Sequence, residues 1–173
     1  MTQPTQDPGT QGTQGTEVVS TSVPPTRPPL AQDTAGAVQA ALGAEHAAVW
    51  VYGLVSAFLP ASFDKTIGEG AQAHRSRRDT TERLIGASGA TPAPAEPAYL
   101  PPKPVTNQAS ALELVVGAEQ DCTVAWRAVL ERTDDADVRT NAVAALTESA
   151  VRATRWRKAA GITPITPALP GQP

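Results

Sequence analysis

The chain has 173 residues, with 17 prolines, 13 glycines, one cysteine and a formal charge of -3. An acidic balance offers no field for nucleic acid or anionic lipid, so neither is an expected partner. A single cysteine excludes a disulfide framework and fits a reducing, cytoplasmic compartment.

Residues 1–32 are Thr/Gln/Pro/Gly-rich and almost free of large apolar side chains, which predicts a disordered tail. The opening MTQPTQDPGTQGTQGTEVV has neither the basic nor the apolar region of a secretory signal. A first helix is expected over 34–59, capped by Asp33 or Thr34 and stopped by Pro60. Its seam is Val38, Leu42, Glu45, Val49, Tyr52 and Leu59, in steps of three and four with Ser56 filling the one gap. Trp50, Val51, Leu54 and Phe58 lie off that seam, so a second copy of the chain is expected to cover them in a homodimer. The apolar stretch 47–60 is shorter than the roughly 20 residues a membrane span needs.

The second helix, over 62–87, carries the inward stripe Phe63, Ile67, Gly70, His74, Thr81 and Ile85, with Arg77 and Arg78 astride it. The following SGATPAPAEPAYLPPKPV has too many prolines to be helical and is read as a long, semi-extended connection. Its Tyr99-Leu100-Pro101-Pro102-Lys103-Pro104 has the look of a polyproline ligand, which a linker pinned across the helices explains as well. A third helix over 107–132, capped by Thr106 or Asn107, has the seam Leu112, Val115, Val116, Glu119, Trp126 and Leu130. A fourth over 135–160, capped by Asp134 or Asp135 and closed by Gly161, buries Val138, Ala142, Leu146, Ala153 and Trp156. Ser149 is central on that side and Glu148 points away; a Pro-rich tail over 162–173 ends the chain. Cys122, Tyr52 and Trp126 read as core residues, and the cations Arg152, Arg155, Arg157 and Lys158 suit a helix carboxyl end.

Short, long and short connections make an all-α, ferritin-like four-helix bundle over 33–161, in which a long Pro-rich crossover lets helices two and three run the same way. Helix midpoints then share a level, and they fall near Glu45, His74, Glu119 and Ser149. Ala44-Glu45-His46-Ala47 and His74-Arg75-Ser76-Arg77-Arg78-Asp79 are similar to motifs of a ferritin-like family of high-GC bacteria with no settled function. That resemblance implies the bundle fold and matches Glu45 and Glu119 to the single-Glu positions of di-iron bundles. It departs elsewhere: Ala71 stands three residues before His74, and Val151 three after Glu148, so neither Glu-x-x-His is present.

Two readings of this layer follow. In one, Arg77, Arg78, Arg152 and a protonated His74 neutralise the carboxylates, giving a non-enzymatic structural or interaction module with no cofactor. In the other, Glu45, His74 and Glu119 hold one iron, manganese or zinc ion, with His46 close by, for redox chemistry or metal sequestration. No nucleophilic triad, phosphate loop or paired-Cys zinc motif occurs.

Overall fold

Prolines and glycines punctuate the chain into four rods. The computed structural model describes residues 26–172 and has the helices α1 (Gln32–Val55), α2 (Asp64–Ala87), α3 (Gln108–Arg132) and α4 (Ala136–Ala160), with a 3-10 turn at Ala61–Phe63. Among the described residues there is no strand, so the molecule is an all-α bundle. None of these helices is long and apolar enough to cross a membrane.

Local chemistry sets most of the ends. Asn107 and Ser110 form a reciprocal capping box on α3, and Asp135 accepts from the amides of Asp137 and Val138 at the start of α4. After α2, Gly89 at φ 83° lets Ala90 N donate to Ile85 O and Gly89 N to Gly86 O, which satisfies the last carbonyls. Gly161, at φ 68°, does the same for α4.

α1 differs from expectation at both ends. It begins at Gln32 with Ala31 before it and no side-chain cap, because the Thr34 hydroxyl is spent on the carbonyl of Arg132. It stops at Val55 rather than reaching 59, since Pro60 disfavours helical geometry just before it and the chain tightens into three-residue turns from Leu54 to Phe58.

Residues 1–25 of the expected tail lie outside the described part, but its last stretch is ordered. Thr26 N and Arg27 N both donate to Ala87 O, Arg27 pairs with Asp135, and Leu30 packs on the core. One arginine and one leucine thus anchor a segment whose composition reads as tail.

The contacts fix the helix directions. α1 meets α2 at Glu45–His74 and Tyr52–Gly70, and α3 at Thr34–Arg132, Glu45–Trp126 and Tyr52–Glu119. α3 meets α4 at Leu130–Arg139 and Glu119–Arg152. Each pairing is antiparallel, so α2 and α3 run the same way. The connection between them follows α1, through Gln39 with Thr91 and Ala93, His46 with Ala93, and Trp50 against the ring of Tyr99.

The buried apolar residues fall into two clusters rather than one. The first includes Val38, Leu42, Ile85, Trp126, Val129 and Val138; the second includes Val55, Ile67, Leu112, Val115, Val116 and Trp156. Between them lies a polar layer.

Candidate functional site

Seam positions place one ionisable group on each of α1, α2 and α3, and the antiparallel register brings them to one height. Glu45, His74 and Glu119 are fully buried and in contact. His74 Nδ1 is 2.7 Å from Glu45 Oε2 and its Nε2 is 3.1 Å from Glu119 Oε1. An ionised carboxylate only accepts, so with both glutamates ionised both ring nitrogens donate and the ring is an imidazolium.

The carboxylates draw on the same kinds of donor, Glu45 through both oxygens and Glu119 through Oε1 alone. Glu45 Oε1 accepts from Trp126 Nε1 at 2.7 Å and Arg77 Nη1 at 3.0 Å. Glu119 Oε1 accepts from Tyr52 Oη at 2.5 Å and Arg152 Nε at 3.0 Å. Each glutamate therefore takes one imidazole N–H, one guanidinium and one aromatic donor. The aromatic donor sits two turns beyond the other glutamate on its own helix, which makes α1 and α3 near-symmetric halves. α2 contributes His74 and Arg77, and α4 contributes Ser149 and Arg152 at the same spacing; Arg77 Nη1 also reaches Ser149 Oγ at 2.9 Å. Trp156 Nε1 supports Tyr52 Oη at 2.9 Å.

These bonds decide protonation. Burial alone would raise both glutamates, but for Glu45 the bond from His74 and the charge of Arg77 outweigh it and hold the carboxyl below the ordinary range. His74 and Arg152 do the same for Glu119. Burial would lower His74, yet its bonds to Glu119 and Glu45 prevail and raise it. Burial, then the charge of Glu119, pushes the Tyr52 hydroxyl up, so it stays a donor. Burial likewise keeps Cys122 a thiol, its Sγ 3.6 Å from Ala44 O.

Arg77 and Arg152 reach the layer, whereas Arg78 does not. One residue on from Arg77 is a rotation of about 100 degrees, and Arg78 turns instead to Asp79 Oδ1 at 2.7 Å. His46 faces away, to Ala93 O at 3.3 Å and Glu82 at 3.7 Å. Of the expected contact set on α1, Val51 is buried, while Trp50, Leu54 and Phe58 are half-buried, Trp50 tilted against the Tyr99 ring and Phe58 beside the second cluster. The connection meets this flank at Trp50, through Tyr99. Tyr52 and Trp126, read as core packing, also act as hydrogen-bond donors; their signal was an aromatic two turns after each seam glutamate.

Residues 37–173 match the model of a family described as Domain of unknown function (DUF4439). Among solved structures, the crystal structure of a conserved hypothetical protein, rv2844, from Mycobacterium tuberculosis is similar at 39% identity and a TM-score of 0.73. The match covers 75% of this chain and 98% of that one. No curated protein matches.

Proposed function

Since the chain belongs to the family described as Domain of unknown function (DUF4439), we propose that it is a ferritin-like bundle whose central layer is a charge network in place of a metal centre, and that it serves as a non-catalytic structural or interaction module in the cytoplasm. The parallel course of α2 and α3, joined by the Pro-rich residues 88–107, supports ferritin-like connectivity.

The observation that carries the reading is the residue three positions after each inward group of α2 and α4. Di-iron bundles place Glu-x-x-His on two helices and a single Glu on each of the others. Glu45 and Glu119 suit the single positions, but the paired positions read His74-x-x-Arg77 and Ser149-x-x-Arg152. A guanidinium on each carboxylate supplies the positive charge an ion would supply and repels one. Both His74 nitrogens are engaged with carboxylates. These residues do not fit a two-iron group.

One arrangement favours a single ion instead. Glu45, His74 and Cys122 each present a ligand atom within 4.8 Å of the others, and Glu119 Oε2 is buried without a partner among the described residues. Such a donor set would suit zinc, at the cost of a thiol proton and the His74–Glu45 bond.

Metal analysis of protein purified without chelator separates the two. Expected are a metal content far below one per chain and a melt that chelator leaves unchanged, with Glu45→Ala costing about 3–5 kcal/mol through stranded Arg77 and His74. Near-stoichiometric iron, manganese or zinc that disappears in Glu45→Ala would overturn the proposal.

A further inference from the structure

α1 packs closely on α2 and on α3, and α3 on α4, whereas the backbones of α2 and α4 stand further apart and Arg77 bridges them. Between them lies a slot of about 360 Å³, at the small end of ligand pockets. Buried Trp126 and Ala145 form its floor, Thr80 and Asn141 line its mouth, and Arg77 and Glu148 face each other across it.

Arg77 has two ends. Its Nη1 is used inside, on Glu45, Ser149 and the carbonyl of Ala145. Among the described residues its Nη2 donates only to Glu148 Oε2, at 3.1 Å, and that glutamate's side chain is 57% exposed. Three cations in the layer, His74, Arg77 and Arg152, face the two buried carboxylates Glu45 and Glu119, leaving one positive charge that Glu148 balances from the solvent side. A carboxylate thus already stands where the slot opens onto Arg77, and it is held by a rotatable surface side chain.

We infer that the slot binds a small organic carboxylate with a compact apolar body, its carboxylate replacing Glu148 on Arg77 Nη2 and its body lying along Ala73, Leu84 and Ala144, above Trp126. Glu148 is the built-in competitor. A neutral analogue loses the charged contact, and an amine meets Arg77 as a like charge. The inference rests on the charge-network reading of the centre, because it needs Arg77 held as a donor to both sides.

Benzoate is the probe, titrated into chelator-treated full-length protein and followed by calorimetry and tryptophan emission. Saturable binding in the millimolar range is expected, as for one charge-assisted contact with modest apolar burial. Glu148→Gln should tighten it by about tenfold, and benzyl alcohol and benzylamine should bind at least about tenfold more weakly than benzoate. Ala144→Leu, an exposed slot residue on α4, should abolish binding without lowering the melting temperature. No saturable response in either wild type or Glu148→Gln, equal binding of benzyl alcohol, or binding indifferent to Ala144→Leu would each overturn the inference. Stoichiometric metal in untreated protein would sink the reading of the centre, whereas a silent titration on metal-free protein sinks the slot alone.

Discussion

Tyr52 reaches Glu119 only because α2 offers no side chain at Gly70. A methyl group there would overlap the Tyr52 ring and hydroxyl. Gly70→Ala must therefore move the phenol and release both its bond to Glu119 and its support from Trp156. We expect a loss of about 2–4 kcal/mol by chemical denaturation, from overpacking and an under-served buried carboxylate. Gly53→Ala on α1 is the control, since nothing lies within 4 Å of a methyl there; it should be neutral or stabilising by up to about 1 kcal/mol. At this scale the sequence showed the charges that must meet and the arginines within reach of them, but not which arginine serves which carboxylate, nor the aromatic donors. Seam spacing and shared midpoints suffice for Glu45, His74 and Glu119, because either helix direction leaves the middle in place. Choosing Arg77 over Arg78, or recognising Ser149 with Arg152 as the counterpart of His74 with Arg77, depends on a rotation of one residue, which periodicity does not resolve.

Helix ends were legible where one side chain does the work. Asn107, Asp135, Gly89 and Gly161 act within a few residues of themselves, so their signals are local. α1 lacks such a device at its start, and its side chain at Thr34 is taken by α3; no local reading finds that. The connection after α2 was legible as non-helical, whereas its course along α1 depends on the meeting of Tyr99 and Trp50, which no local signal announces. The capping box gives the prediction proper to this scale. Asn107→Ala removes the acceptor for Ser110 N and should cost about 1 kcal/mol. Hydrogen exchange should show the loss confined to the first turn of α3, and Asn107→Asp should restore it. Uniform loss of protection along α3 would show that the box also holds the connection in place.

For the molecule as a whole, a charged layer between two apolar clusters makes stability a function of pH on both sides. Glu45 and Glu119 are held below their ordinary 4.5 in the fold, so between that value and their folded values the unfolded chain binds more protons and stability falls as pH falls. His74 is raised above its ordinary 6.5; above 6.5 the folded chain keeps a proton that the unfolded chain has lost, so stability falls as pH rises, by at most about 1.4 kcal/mol per unit for one proton. The contribution of the layer is complete only between these limits. Melting temperature plotted against pH should therefore peak between 4.5 and 6.5, on the acid side of neutrality even though the chain is itself acidic. His74→Gln should remove the alkaline decline and weaken the acid one, because His74 is the strongest of the groups that hold the two carboxyls low and only Arg77, Arg152, Tyr52 and Trp126 then oppose burial. A wild-type curve flat from pH 6.5 to 9 would mean that His74 is neutral in the fold. Its two nitrogens could then not both donate, and one glutamate would have to carry a proton in the place of the imidazolium.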